Sequence, residues 1–445
     1  MKAAASRHRQ EAGILDILPA LNGGACRAPG QEFVGDTLPF PETAIKGPGF
    51  ASSGGRGITG FPRRSHGAGW GRAENPEMSV KMMPGTIMTG YGAPGGQKAV
   101  TAGRIFPLGG ESVRVENVVI THGDALDHYA WWEPPTCILS DGPYGLGKFP
   151  GDPTTPRELP DWYAPHVAAW SARARANTTL WFWCTEIGWA LVHPLLDRHD
   201  WEYAGCHVWD KGLAHIAGNC NSRKQQSTPV VTEIVVRYTR RLQLAGRDGR
   251  VLPLQAWLRH EWARSGLPWS QANVACGVRH AASRKYLTAD HRWYRPPPEA
   301  MARLASYANR YGDPGGRPYF SVDGTNPVSA ECWEQMRPKW HHRHGLTNVW
   351  RIPPLHGAGR WRDPAGRSHA AQKPVPLMAL PILLSTDPGD VVWEPFGGLC
   401  SGAVAAMQAQ RHCFAAEVNP VYFRMAVERL RMEKPGSDSP HPPSP

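Results

Sequence analysis

From Glu116 to the neighbourhood of Tyr238, short apolar runs alternate with stretches of helical spacing. The runs "ENVVITHGDAL", "TCILSD", "TTLWFWC", "EYAGCHVWDK" and "PVVTEIVVRYTR" are rich in β-branched and aromatic residues, which predicts strands. Between them, "DWYAPHVAAWSARARA" and "IGWALVHPLLDRH" carry apolar residues at helical spacing, and Pro194 is expected to kink the second helix. The pattern stops near Tyr238 and resumes after Asn348. There "VPLMALPILLS" predicts a helix, "GDVVWEP" a buried strand, "SGAVAAMQAQ" a helix and "HCFAAEV" a strand. "PVYFRMAVERLRM" follows as an amphipathic helix with proline at its first turn. Strands alternating with helices predict an α/β domain, a mostly parallel sheet covered on both faces, interrupted by an insert.

The flanks and the insert differ from this pattern. Residues 1–115 hold 22 of the 48 glycines and show no sustained period, so an extension without a packed core is expected there. Residues 433–445, "EKPGSDSPHPPSP", are expected to be a disordered tail. The net charge is +11 and the pI about 9.3, a balance that suits a polyanionic partner. Residues 240–295 concentrate it, with eleven Lys/Arg against three Asp/Glu, a net of +8. Within them, the spacing of Leu254, Trp257, Leu258 and Trp262 is helical. Ser270 can cap a short helix "QANVACG", Gly277 and Val278 form a turn, and "HAASRKYLT" is a second helix. This resembles a helix-turn-helix, with Arg279, His280, Ser283, Arg284 and Lys285 facing DNA and Val274, Val278 and Tyr286 packing. A small helical subdomain that touches only the DNA backbone is the alternative. The polar loop from Trp209 offers Lys211, Arg223 and Lys224 as a DNA clamp, or is an ordinary connection.

Other classes recede. No apolar run approaches the ~18 residues of a spanning helix, and "MKAAASRHRQEAG" has no apolar core of a secretory signal. Nine scattered cysteines without CxxC pairs point to a cytoplasmic protein with reduced thiols. The cluster His341, His342 and His344 lacks a Cys or acidic partner at ligand spacing, so no metal is expected.

Two turns carry candidate chemistry. In "DVVWEPFGGLCSGAVAA" a buried strand gives way to a Gly-containing turn and a helix, and Glu417 stands at the tip of the next strand. A turn that lets a ligand approach the backbone, with an acid about 20 residues on, suits a nucleoside-bearing cofactor. In "SDGPYG", Asp141 follows a strand and so shares an edge with Glu417. A carboxylate beside a flat ring, Tyr144, suits a flipped base with an exocyclic amino group, whereas a plain Asx-turn would use the same residues structurally.

These motifs resemble, in order, those of β-class amino-directed DNA methyltransferases. "SDGPYG" looks like their D-P-P-Y motif, "EPFGGLCSG" like the S-adenosylmethionine-binding loop, and "AAEVNPVYFRMAVERL" like the E-x-N-P-x-Y helix entry. "HAAQKP" is similar to H-x-x-Q-K-P, and "THGDAL" to the G-D-A-L that commonly precedes the tetrapeptide. Gly142 departs from the family's first proline, Glu394 from its aspartate, and Leu399 and Cys400 from its Ser-Gly. The resemblance implies a Rossmann-like methyltransferase sheet with helices on both faces, interrupted by a mainly helical target-recognition insert. Residues 116–239 would be the catalytic half, 240–343 the insert and 344–432 the cofactor half. It implies catalysis by Asp141, Gly142, Pro143 and Tyr144. Asp124, Lys373, Glu394, Phe396, Gly398, Ser401, Glu417 and Asn419 would hold S-adenosyl-L-methionine. The acid of the tetrapeptide favours N6 of adenine in double-stranded DNA. N4 of cytosine, an inactive DNA-binding protein, and protein or RNA methyltransferases remain as alternatives. A cognate restriction endonuclease and a homodimer stand as candidate partners, and no membrane partner is expected.

Overall fold

The computed structural model describes residues 111–149, 151–216 and 228–434. In chain order the elements begin with β1 Ser112–Val115, β2 Val118–His122, β3 Cys137–Ser140, α1 Leu159–Arg173, β4 Thr179–Cys184, α2 Glu186–Arg198, β5 Trp201–Asp210 and β6 Thr232–Arg240. The insert follows with β7 Gln243–Ala245, β8 Val251–Pro253, α3 Leu254–Arg264, α4 Gln271–Cys276, α5 Ala281–Lys285, α6 Pro298–Tyr311 and α7 Ala330–Gln335. The chain ends in β9 Val349–Arg351, α8 Val375–Ser385, β10 Val391–Glu394, α9 Ser401–Gln408, β11 His412–Glu417 and α10 Pro420–Met432.

The main sheet runs β1-β2-β11-β10-β3-β4-β6-β5-β9. Strands β2, β11, β10, β3 and β4 pair in parallel, as do β5 and β9, whereas β1 and β6 run against their neighbours. The expected strand period of two sorts the core into two layers. On one face Cys137 and Leu139 of β3, Trp181 and Trp183 of β4, Val392 of β10 and Cys413 and Ala415 of β11 pack with α8, α9 and α10. The alternate residues Ile138, Leu180, Phe182, Trp393 and Phe414 pack on the other face with α1 and α2. Every residue of β3, β4 and β10 is buried, because helices cover the sheet from both sides.

The structure departs from the sequence reading in several places. Strand β1 falls inside the stretch assigned to a structureless extension, because Val113 and Val115 alternate against β2 and share its core. The remainder of that extension, up to residue 110, and the tail beyond residue 434 lie outside the described residues. Ser270 makes no side-chain cap, because its backbone is already helical. In α4 the buried positions go to Ala272, Asn273 and Cys276, so Val274 and Val278 are exposed, at 67% and 40%, rather than packed. The second helix of the expected pair, α5, has five residues, less than two turns.

The insert builds its own core from Trp257, Leu258 and Trp262 of α3, Met301 and Leu304 of α6 and Trp333 of α7. Glu261 is buried in it, held by Arg264 and by the backbone N–H of Phe320. On its way back, Lys339 reaches Asp387 at 2.7 Å and Asp390 at 2.6 Å, and Trp340 lies under the Arg237 guanidinium. His341 pairs with Asp387, and among the described residues no three His, Cys, Asp or Glu side chains converge as metal ligands. No described helix is long and apolar enough to cross a membrane.

Candidate active site

From β3 the chain proceeds to β4 on one side, while from β10 it proceeds to β11 on the other. The crevice between adjacent β3 and β10 is therefore a topological switch point, where open α/β sheets bind ligands beyond the strands' carboxyl ends. Asp141 leaves β3 at that edge, Glu394 ends β10 and Glu417 ends β11. Because β6 is antiparallel, its first residues come to the same edge and bring Glu233 there.

The tetrapeptide Asp141 to Tyr144 is part-buried and charged around. Lys373 Nζ donates to Asp141 Oδ1 at 2.8 Å and lies 3.4 Å from Glu233 Oε2. The Tyr144 hydroxyl is 3.0 Å from Asp141 Oδ1 and 2.9 Å from Glu233 Oε2. Lys211 Nζ sits 2.6 Å from Glu233 Oε1. Two cations and two carboxylates thus balance. Burial pushes the Asp141 carboxyl above its ordinary value, Lys373 pulls it down, and Glu233 pushes it up again. Burial works against ionised Glu233 too, but Lys373 and Lys211 hold it down at about 2. The Tyr144 phenol is driven well above its ordinary value by burial and by both carboxylates, so it keeps its proton.

Gly142 answers a question of space. A Cβ there would stand 2.5 Å from the Tyr163 hydroxyl and 2.8 Å from the Phe396 ring. Tyr163, fully buried on α1, donates to the Pro143 carbonyl at 3.1 Å. Phe396 packs among Trp162, Tyr163 and His166, with His166 at 5.0 Å. An aromatic floor has taken the volume that a proline side chain would need.

The turn after β10 is built by its own polar groups. Both Glu394 oxygens accept from the first turn of α9, from Gly402 N at 2.8 Å and Ala403 N at 2.7 Å, while burial pushes that carboxyl up to about 8. Gly398 and Cys400 adopt positive φ of 54° and 56° to fold the turn tightly. The buried Arg429 donates to the Leu399 carbonyl and to Ser401 Oγ, and Ser401 Oγ donates to the Lys373 carbonyl. Glu417 accepts from Gly398 N at 2.7 Å and Asn419 N at 2.8 Å.

Several of the expected site residues also serve the surrounding backbone. Ser401 and Glu394 hold the turn from behind. Asn419 caps α10 through Val421 N and Tyr422 N, and exposed Asp124 caps a short 3-10 turn through Leu126 N. The Lys373 side chain pairs with Asp141, while its carbonyl accepts from Ser401 Oγ beside the glycine turn. Lys211 is an ion-pair partner, not a free phosphate contact. Arg223 and Lys224 lie outside the described residues. Arg279, His280, Arg284 and Lys285 are exposed, but Ser283 is tied to Asn273 through its N–H and its hydroxyl. The sequence reading missed Glu233, Tyr163 and His369. Burial pushes the His369 imidazole down to about 4, and it lies between Phe149 and Tyr422. Its Nδ1 is buried without a hydrogen-bond partner. A Cβ on Gly398 would stand 3.7 Å from that atom.

This fold and edge define a doubly wound α/β protein with an aromatic-carboxylate pair and a Gly-containing turn at the switch point. The chain belongs to the DNA methylase family of N6/N4 amino-methyltransferases, which it matches over residues 136–428. It is 32% identical over 91 residues to the DNA adenine methyltransferase YhdJ of Escherichia coli K12, covering 20% of this chain and 30% of the relative. It is 34% identical over 93 residues to the type II methyltransferase M.HpaI of Haemophilus parainfluenzae, covering 21% and 28%. It is 40% identical over 104 residues to M.Cfr9I of Citrobacter freundii, covering 23% and 32%. The alignments thus span about a third of these relatives. Among solved structures, the M1.HpyAVI–SAM complex overlaps 70% of this chain and 99% of its own, at 14% identity and a TM-score of 0.36. The cytosine-N4-specific PvuII DNA methyltransferase overlaps 72% and 88%, at 12% identity and 0.41.

S-adenosylmethionine, the family's methyl donor, fits the residues present. The unpartnered Nδ1 of neutral His369 faces the Gly398 turn, and Glu417, with one N–H on each oxygen, keeps acceptor capacity for hydroxyls.

Two outcomes follow for stability. Gly142→Ala is expected to cost roughly 1–3 kcal/mol through overpacking. In a Tyr163→Phe background the same change costs less, because the 2.5 Å contact is gone, and urea unfolding of the four proteins reads the coupling. Additive penalties would place the strain elsewhere. For Glu233 the folded value of about 2 lies below the ordinary 4.5. Its ionised form therefore stabilises the fold fully above pH 4.5, on the order of 3 kcal/mol, and that contribution is lost as pH falls through 2. The gap in urea midpoint between wild type and Glu233→Gln should be constant above pH 5 and shrink in acid; a gap independent of pH contradicts the assignment.

Proposed function

We propose that this protein methylates N6 of adenine in double-stranded DNA, and that its insert chooses the sequence. The observation that carries the reading is the geometry of Asp141. Its Oδ1 is occupied by Lys373 and Tyr144, while no hydrogen bond reaches Oδ2 among the described residues. The acid at this position, and the similarity to a relative named as an adenine methyltransferase, favour adenine over cytosine.

The donor supplies a methyl group activated on a sulfonium; Phe396, His369, the Gly398 turn and Glu417 are the residues that would hold it. Asp141 Oδ2 and the Gly142 carbonyl accept the two hydrogens of the extruded base's amino group and so aim its lone pair. Lys373 favours the ionised form of Asp141. Tyr144 offers its part-exposed ring as a stacking surface, worth about 1–3 kcal/mol per base in comparable sites. Tyr163 fixes the Pro143 carbonyl, and with it the path of the backbone between Asp141 and Tyr144. Asp141 Oδ2 is the acceptor in place for the proton that the methylated nitrogen sheds. Positioning accounts for most of such catalysis.

Labelled methyl transfer to DNA tests this reading. Asp141→Ala is expected to abolish transfer while calorimetry finds the affinity for S-adenosylmethionine nearly intact; a wild-type protein that labels no DNA sinks the proposal. Mass spectrometry of the digested product should yield N6-methyladenine, and N4-methylcytosine would replace adenine as the target.

The exposed basic ridge of Arg279, Arg284 and Lys285 is the proposed reading surface. Arg284→Ala should cost roughly 1–3 kcal/mol on the specific site and relax sequence choice, with little change on random DNA. Arg279→Ala should weaken both DNAs alike and lower the log–log salt slope by about one. Wild-type affinity and site choice in the double variant would remove this ridge from recognition.

A further inference from the structure

Glu233 and Lys211 are buried charges that the transfer step, as derived above, leaves without a part. Their side chains are only 15% and 13% exposed. Two charges taken out of water cost several kcal/mol each before pairing, so their placement against the catalytic tetrapeptide calls for a reason.

The reason lies in the Tyr144 hydroxyl. It stands 3.0 Å from Asp141 Oδ1 and 2.9 Å from Glu233 Oε2, but a phenol has one proton to donate. It therefore serves one carboxylate at a time. When it serves Asp141, that oxygen receives both the phenol and Lys373, and part of the carboxylate's charge is already answered. When it serves Glu233, Asp141 keeps Lys373 alone and presents a more basic carboxylate to an incoming amino group. Lys373 Nζ is within 3.4 Å of both the Tyr144 oxygen and Glu233 Oε2, so its three N–H groups can follow either arrangement. Lys211 fixes the other Glu233 oxygen at 2.6 Å and keeps the carboxylate turned toward the phenol.

We propose that Glu233 is a positioning residue that receives the Tyr144 hydroxyl proton in a hydrogen bond when the target amino group engages Asp141. The hydroxyl rotates, no covalent bond changes, and the stacking ring stays anchored throughout. This rests on the amino-methyltransferase reading above. It explains why an acid faces the active edge from the antiparallel strand, where the parallel strands already supply Asp141 and Glu417.

The test uses the full chain as wild type and three single variants: Glu233→Met, which removes the acceptor at similar size, Glu233→Gln, which keeps an acceptor oxygen without charge, and Tyr144→Phe, which keeps the ring without its hydroxyl. A Glu233→Met/Tyr144→Phe double variant completes the cycle. Single-turnover methylation is read at saturating DNA, with binding and 2-aminopurine fluorescence at the target position as readouts that need no transfer. Expected are a fall of roughly ten- to hundredfold in the saturated rate for Glu233→Met and Tyr144→Phe, as when a supporting partner is removed from an active group. Partial rescue by Glu233→Gln is expected, as are nearly unchanged DNA affinity and base extrusion, and a double variant no slower than the slower single. Losses that multiply in the double variant, losses confined to DNA affinity, or a Tyr144→Phe protein at wild-type rate would overturn the proposal. Tyr144→Phe keeps the proposal open to refutation even if Glu233→Met does not fold. Should the wild type itself transfer nothing to DNA, the amino-methyltransferase reading fails first; should it transfer while the variants behave otherwise, only the role of Glu233 fails.

Discussion

One buried ammonium sets the terms for the active edge. Lys373 reaches Asp141 across 232 residues of sequence with its side chain, and through its carbonyl it receives Ser401 of the cofactor turn. An unpaired cation at that depth would cost several kcal/mol, so its surroundings must supply anions. Asp141 and Glu233 supply them, and Lys211 then restores the balance. The two halves of the sheet, separated in the chain by the insert, are thus joined at that edge.

Space is the second constraint. The aromatic floor of Trp162, Tyr163, His166 and Phe396 presses against residue 142 so closely that a glycine is needed there, although its backbone is not in the left-handed region. The departure from the family's proline is therefore matched by a neighbouring tyrosine whose hydroxyl takes over control of the local backbone, at the Pro143 carbonyl.

Much of the sheet was legible because its central strands β3, β4 and β10 are short runs apolar on both faces, while α10 is apolar on one. Strand direction was not: "TEIVVRYTR" reads alike in a parallel or an antiparallel setting, and only the register against β4 and β5 shows that its first residues meet the active edge. β1 and β9 escaped because four and three residues carry too little pattern. In the site, Asp141 and Tyr144 stood out as a carboxylate and ring after a buried strand. The polar residues of the cofactor turn were harder to read, since Asp, Asn and Ser cap helix ends with the same atoms that bind ligands. Asp124 and Asn419 do cap helix ends, and Ser401 Oγ donates to the Lys373 carbonyl. Glu233 had a signal that was passed over: an acid opening an otherwise buried strand needs a cation.

The foot formed by Lys339 and Trp340 bears on where the insert can be exchanged. It belongs by position to the insert, yet it stands on Asp387 and Asp390 ahead of β10 and beneath Arg237 of β6. A recombination event that exchanged everything between β6 and β9 would import a foreign foot onto a native socket. An exchange of the insert that keeps these ion pairs must carry Asp387 and Asp390 along with the lysine, or place the crossover on the amino-terminal side of residue 339. The join between insert and sheet has a seam, and the ion pairs at that foot mark where it can be cut.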